Sequence, residues 1–288
     1  MNRSSPRPEQ VRTNALGTDE MAKPLLNFFA WELTPEQQLL QQTVRTFVED
    51  EALPIIPACF EAGRFPQELV PRLGELGLLG PSIPVNGPPA DALSAGLIAL
   101  ELERGDSALR SFASVQGSLV MFPIWRYGSE EQRQRYLPGL ARGTLIACFG
   151  LTEPDHGSEP SAMETRAIRT TDGWVLTGTK MWVTNAPIAD LALIWARVEE
   201  DGQSTVRGFL VEADAPGYRV NPISHKLSLR ASATGEIVLE ECRVPAEAIL
   251  PGARGMRGAP LLPDRGSFWD RFWDGRGGDG LLRGGARL

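Results

Sequence analysis

The feature that most constrains this chain is a change of hydrophobic period near Gly143. Before it, apolar residues recur at the spacing of one helix face; after it they alternate, as on a half-buried strand. A chain of this pattern is expected to be α+β, with an all-helical part followed by a separate β part.

The helical part opens at Thr34-Pro35-Glu36-Gln37, where threonine caps, proline takes the first helical position and glutamine reaches back. Leu39, Leu40, Val44, Phe47 and Val48 then share a face, and Pro54 and Pro57 are expected to end the helix. Further helices are predicted around Pro66 to Leu78, Ala90 to Arg104 and Asp106 towards Phe122, with Gly105 and Asp106 dividing the last two. Ser129-Glu130-Glu131-Gln132 is another capping box, and its helix runs through Tyr136, Leu137 and Leu140 until Gly143 stops it.

Strands are predicted at Met163 to Arg169 and Trp174 to Leu176 around a Thr171-Asp172-Gly173 turn. Others follow at Met181 to Thr184, Leu191 to Val198, Val206 to Glu212, Tyr218 to Pro222 and Glu236 to Val244. Short strands at this spacing suggest a small antiparallel barrel or sandwich. The expected organisation is a disordered tail at 1–27, a helical domain at 28–146, a β domain at 147–254 and an irregular tail at 255–288.

Composition narrows the function. Hydrophobic residues make up 42% of the chain, enough for a sizeable core, and the net charge of −7 provides no clustered basic surface for nucleic acid. No apolar run approaches the roughly 20 residues a bilayer span needs, and the N-terminus has no secretory h-region. Cys59, Cys148 and Cys242 lie far apart with His156 and His225 alone to join them, so free buried thiols are expected and no metal site.

The run Cys148-Phe149-Gly150-Leu151-Thr152-Glu153-Pro154-Asp155-His156-Gly157-Ser158-Glu159-Pro160 resembles the flavin and acyl-CoA binding signature of the acyl-CoA dehydrogenase family. Gly178-Thr179-Lys180-Met181-Trp182-Val183-Thr184-Asn185 follows at the family's interval, then Ser228-Leu229-Arg230-Ala231-Ser232 and Val244-Pro245-Ala246-Glu247. The helical-then-β order is also the family's. Within it, Glu101 to Ser111, continued by Ser114-Val115-Gln116, is similar to the glutaryl-CoA dehydrogenase segment.

The resemblance implies FAD as cofactor. Phe149, Leu151 and Thr152 would line the flavin ring and ribityl chain. Gly157 would allow close backbone approach to the pyrophosphate, and Ser158 would add a hydroxyl and contact the acyl-CoA. Trp182, Val183 and Thr184 would stand behind the ring, with Thr184 near N5. Read alone, Gly157-Ser158 is an ordinary turn and Trp182 ordinary core. Asp155, His156 and Glu159 depart from the family's Asn, Ser and Asp, so their charges are expected to point outward, with His156 exposed in the loop.

Arg110 discriminates among substrates. A guanidinium can hold the free carboxylate of a dicarboxylic acyl chain by paired charge-assisted hydrogen bonds, whereas an arginine read alone is usually a surface residue. The resemblance places Arg110 and Ser111 at that end of the substrate, with Glu103 orienting Arg110. It further implies oxidative decarboxylation of glutaryl-CoA to crotonyl-CoA, with another short-chain acyl-CoA dehydrogenase, a non-decarboxylating glutaryl-CoA enzyme or a non-catalytic fragment as the alternatives. Electron-transfer flavoprotein is implied as electron acceptor, and a homotetramer for the intact protein. The compartment would be the cytoplasm of a bacterium or the mitochondrial matrix of a eukaryote.

In the family a glutamate from a C-terminal helical bundle removes the proton alpha to the thioester. The family pattern runs through Leu250 to Gly258 and no later residue matches that base, so no catalytic base is assigned and the chain alone is expected to be inactive. The tail is roughly a quarter glycine with no helical or strand period. Leu261 through Asp270 can be encoded by codons that, read one base later, resemble the family's next segment, which points to a frameshift with termination at Leu288.

Overall fold

The computed structural model describes residues 33–255 apart from positions 86 and 201, so the expected tails at 1–27 and beyond 255 lie outside the described residues. The chain divides into two units between Leu39 and Leu40. In the first, the predicted cap is present: Gln37 N donates to Thr34 Oγ1 at 3.3 Å and Thr34 N donates back to Gln37 Oε1 at 3.1 Å. It opens helix α1, Pro35–Phe47.

In the second unit, helices α2 (Ile56–Ala62), α3 (Val70–Glu75), α4 (Ala92–Gly105), α5 (Ser107–Ser114), α6 (Phe122–Tyr127) and α7 (Glu130–Arg142) follow in order. Pro57 sits in the first turn of α2, so it starts a helix where the sequence suggested an end; its missing N–H falls where no partner is needed. Asp106 does two jobs. Its extended backbone (φ −168°, ψ 141°) closes α4, and its carboxylate accepts the Ala108 amide at 2.7 Å to start α5. At the far end, Ser129 and Gln132 form the expected reciprocal cap and Gly143, at φ 71°, ends α7 in the left-handed region that glycine enters without a Cβ clash. Val44, Phe47, Leu73, Leu102, Leu109 and Phe112 bury their side chains between these helices, with the Phe65 and Phe112 rings stacked at 4.6 Å.

After α7 come β1 (Ala147–Gly150), β2 (Arg166–Arg169), β3 (Gly173–Thr184), β4 (Leu191–Glu200), β5 (Gln203–Glu212), β6 (Tyr218–Pro222) and β7 (Thr234–Pro245). They form one sheet in the order β1-β4-β2-β3-β7-β6, with β5 on the other edge of β4. The helical-then-β division holds. Within the sheet, β1 and β2 run parallel to β4 and the remaining pairs are antiparallel. The segments predicted at 174–176 and 181–184 are one continuous strand, β3. Among the described residues no helix is long and apolar enough to cross a membrane.

Strand β4 explains how the parts pack. Residues 191–196 are all buried, which an isolated half-exposed strand would not allow. Leu191, Leu193 and Trp195 point into a core shared with Val120, Met121, Ile124, Leu137 and Leu140 of the helices. Ala192, Ile194 and Ala196 point the other way, into a core with Trp174, Leu176, Phe209, Val211 and Ile237 of the sheet itself. One strand thus carries both cores.

Candidate functional site

Strands β1 and β2 share one edge of β4. Phe149 and Gly150 pair with Leu193 and Ile194, and the chain returns at Arg166 opposite Arg197, where Arg197 N donates to Thr165 O at 2.8 Å. Residues 151–165 are therefore an excursion whose two ends are clamped to the same strand, and they contain most of the signature.

Opposite this loop, β3 carries a bulge. Lys180 pairs with Ile237 and Val183 with Gly235, so β3 spends one more residue than β7 over the same interval. Trp182 absorbs the extra residue at φ 59°, a left-handed conformation unusual for a bulky side chain. Its ring is turned out of the sheet and is 63% exposed, while Val183 remains buried. Just before Trp182, the Met181 amide, on the edge of β3 away from β7, donates to Thr152 O at 2.8 Å. The wall segment and the signature loop are joined at this bond.

Of the loop residues named from sequence, Leu151 is buried, Thr152 half-buried, and Gly157 and Ser158 exposed. A Cβ on Gly157 would meet nothing within 4 Å, so there is open space over that backbone. Phe149 is half-buried with its ring 6.3 Å from that of Trp195. The hydroxyls of Thr152, Ser158 and Thr184 make no hydrogen bond to protein among the described residues. Asp155 and Glu159 are exposed, as expected. His156 is not: reciprocal backbone bonds with Glu153 (3.2 and 3.3 Å) tighten the loop and bring its Nε2 to 3.6 Å from Glu164 Oε1, half-buried.

These residues fit a flavin. A pyrophosphate needs neutral donors with space in front of them, and a planar ring needs a flat wall; the loop offers the first and the exposed Trp182 ring the second.

Glu103, Arg110 and Ser111 form a second group on α4 and α5. Glu103 accepts from Arg110 Nε at 2.7 Å and from Ser107 Oγ at 2.5 Å. Burial works against ionisation of Glu103, but these two donors outweigh it and hold the carboxyl below the usual range. Arg110 spends its Nε on this bond, and its terminal Nη edge makes no hydrogen bond among the described residues, with 39% of the side chain exposed. Among the described residues, no hydrogen bond joins this group to the loop and wall. The connection runs through Gln116, on the π-helical continuation of α5 at Val115–Met121. Its Oε1 accepts the Ala147 amide at 2.8 Å and its Nε2 donates to Leu145 O and Leu140 O.

Sequence reading missed the polar residues that hold the loop, Glu153, Lys180 and Asn185, all buried. A lysine in an otherwise apolar strand was the available signal. All three cysteines are free and buried, and burial pushes the Cys148 thiol up to about 12 and Cys242 to about 11, so neither is a nucleophile at neutral pH. No group of three or more His, Cys, Asp or Glu side chains suited to a metal occurs among the described residues.

Residues 34–144 match the family described as acyl-CoA dehydrogenase, N-terminal domain, and residues 148–242 match acyl-CoA dehydrogenase, middle domain. The chain belongs to the acyl-CoA dehydrogenase family. Among solved structures, a glutaryl-CoA dehydrogenase from Mycobacterium smegmatis in complex with FADH2 shares 48% identity at a TM-score of 0.77, covering 81% of this chain and 60% of that one. The glutaryl-coenzyme A dehydrogenase glutaryl-CoA complex shares 35% identity at a TM-score of 0.73, over 78% of this chain and 59% of that one. The short-chain specific acyl-CoA dehydrogenase of Rattus norvegicus mitochondria is 36% identical over 228 residues, 78% of this chain. This chain spans 55% of the length of that relative.

Proposed function

We propose that this chain carries the helical and β domains, 28–146 and 147–254, of an FAD-dependent glutaryl-CoA dehydrogenase that oxidises and decarboxylates glutaryl-CoA to crotonyl-CoA. The observation that carries the substrate assignment is the Arg110 guanidinium, fixed through Nε by Glu103 and open along its Nη edge. That edge suits a terminal carboxylate, with the Ser111 hydroxyl beside it in sequence as a further donor. The 48% identity to the mycobacterial glutaryl-CoA dehydrogenase supports the same reading.

Flavin, when bound, supplies the acceptor for the hydride from the beta carbon of the acyl chain. The chain's own residues would prepare that transfer. Phe149, Leu151 and Thr152 line the cofactor, Gly157 and Ser158 give N–H and hydroxyl donors to its pyrophosphate and to the acyl-CoA, and Trp182 and Val183 close off the ring. Thr184 would place its hydroxyl near the accepting nitrogen, a hydrogen bond that stabilises charge as it develops. The proton-removing glutamate is assigned to the family's C-terminal helical domain and to none of the residues described.

Electron-transfer flavoprotein would take the electrons, and the intact protein would be a homotetramer. The compartment would be a bacterial cytoplasm or a mitochondrial matrix, since the relatives include both a bacterial and a mitochondrial protein.

The second reading is a dehydrogenase for short monocarboxylic acyl chains, favoured by the 36% identity to the rat enzyme. Residues 33–255, joined to the remaining part of the mycobacterial enzyme, would separate the two. Preference for glutaryl-CoA over butyryl-CoA, lost in Arg110→Gln while butyryl-CoA turnover persists, supports the glutaryl assignment. Equal use of both substrates by the parent chimera would replace it with the second reading.

A further inference from the structure

Lys180 is fully buried, an unusual place for an ammonium, and it lies on β3 at the last paired position before the bulge. Its stem passes under the signature loop so closely that a Cβ on Gly150 would come within 3.2 Å of Lys180 Cγ and 2.7 Å of Ile194 Cδ1. The ammonium reaches Glu153 Oε1 at 2.8 Å and Leu151 O at 3.1 Å. Glu153, itself buried, also accepts the amides of Glu164 at 2.6 Å and Thr165 at 2.9 Å. One ion pair thus touches the start of the loop at 151–153, its end at 164–165 and the strand that carries Trp182.

Two neutral bonds run beside it. Met181 N donates to Thr152 O and joins the wall to the loop, while Asn185 Nδ2 donates to Ala147 O at 3.2 Å and joins the wall to β1. The signature loop leaves β1 and returns at β2, both paired to β4, with no ladder of its own among the described residues, and the β3–β7 register shifts at the same place. Leu151 and Met163 anchor the loop in the core beneath it and Arg197 holds its far end, but besides the pair the Met181–Thr152 bond is the hydrogen bond that ties the loop to β3 among the described residues. A buried ion pair is a poor source of net stability, because desolvation consumes much of its attraction; its clearer use is to specify one arrangement.

We propose that Lys180 and Glu153 form a positioning pair, which sets the signature loop at 151–158 against the bulged wall at 182–184 and so determines how tightly the cleft between them takes a flavin. The flavin part rests on the function proposed above. Neither residue touches the ring or the acyl chain in this assignment; both act through the backbone they hold. Burial pushes the ammonium down to about 8, an effect Glu153 opposes. Burial also works against ionisation of Glu153, but the bonds from Lys180 and the backbone at 164–165 outweigh it, so its carboxyl stays below the usual range and the pair is charged at neutral pH.

The test compares the full chain with Lys180→Met and with Lys180→Met/Glu153→Gln. The single variant strands a buried carboxylate and serves as the destabilised control; the double variant removes both charges and is the one expected to fold with near-normal melting. Amide hydrogen exchange is read without any flavin. In the double variant the amides of Met181, Glu164 and Thr165 should exchange at least about tenfold faster than in the wild type, while those in the β4–β5 ladder keep their rates. FAD titration of the same proteins should show the double variant weaker by about tenfold or more despite its recovered melting temperature.

Unchanged exchange at all three amides would overturn the proposal, as would acceleration spread equally through β4 and β5, which would mean global loosening. FAD affinity that recovers together with melting temperature would likewise overturn it. If the wild-type chain takes no FAD at all, the functional reading fails on its own, and the exchange rates still decide whether the pair holds the loop.

Discussion

Gln116 Oε1 accepts the Ala147 amide at 2.8 Å from a position on the helical side with no solvent access, and this bond seats β1 against the helices. The same side chain donates to the carbonyls of Leu140 and Leu145, so it closes the chain segment between α7 and the sheet. Gln116→Leu would keep the volume and strand one amide and two carbonyls in the interior. A loss of about 2–4 kcal/mol in unfolding free energy is expected by denaturant titration, since each unsatisfied buried group costs about 1–3 kcal/mol. A change below about 0.5 kcal/mol, the range of ordinary surface substitutions, would show that the join does not depend on this residue.

Glu101 gives the fold an acid-sensitive support. Its buried carboxylate accepts Arg45 through Nε at 3.1 Å and Nη2 at 2.6 Å, Gln41 at 2.8 Å and Arg104 at 3.0 Å. Burial opposes ionisation, but these donors outweigh it and hold the pKa below the usual value. A carboxyl whose pKa is lower folded than unfolded stabilises the fold above the unfolded value, about 4.3, and loses that contribution as pH falls through the folded value. Glu101→Gln should therefore cost about 2 kcal/mol at neutral pH, and the gap to wild type should narrow below about pH 4. Urea melts from neutral to acid pH read this directly; a gap independent of pH would contradict it.

Trp182 trades backbone comfort for an exposed ring. A left-handed non-glycine residue costs about 1–2 kcal/mol, and the ring returns little packing because it is 63% exposed. Trp182→Gly should therefore melt close to wild type while weakening flavin binding by about tenfold or more. Strong destabilisation of the fold, with flavin affinity intact, would mean that the ring is core and not wall.

Much of this was legible in sequence wherever the cause is local. The boxes at Thr34 and Ser129 and the break at Gly105-Asp106 are set by side chains within a few residues of the backbone they satisfy, and all three appear as read. Strand β1 was not legible, because its four residues are too few to show alternation and are held in place by β4 and Gln116 from elsewhere in the chain. The bulge at Trp182 was invisible for the same reason, since it exists only relative to the register of β7. Pro57 misled because a proline marks a helix start as readily as an end, and only the turn at Leu53 to Ile55 decides between them. The motif containing Lys180 stood out, but its partner Glu153 is 27 positions away, beyond any local pattern.

The most direct test of the account is a titration of FAD into the purified chain, followed by flavin absorbance and tryptophan quenching, with Trp182→Gly alongside. The account predicts saturable binding by the wild type and markedly weaker binding by the variant. No saturable binding by the wild type, or equal binding by both proteins, would contradict the claim that the loop at 151–158 and the bulged wall at 182–184 form a flavin site.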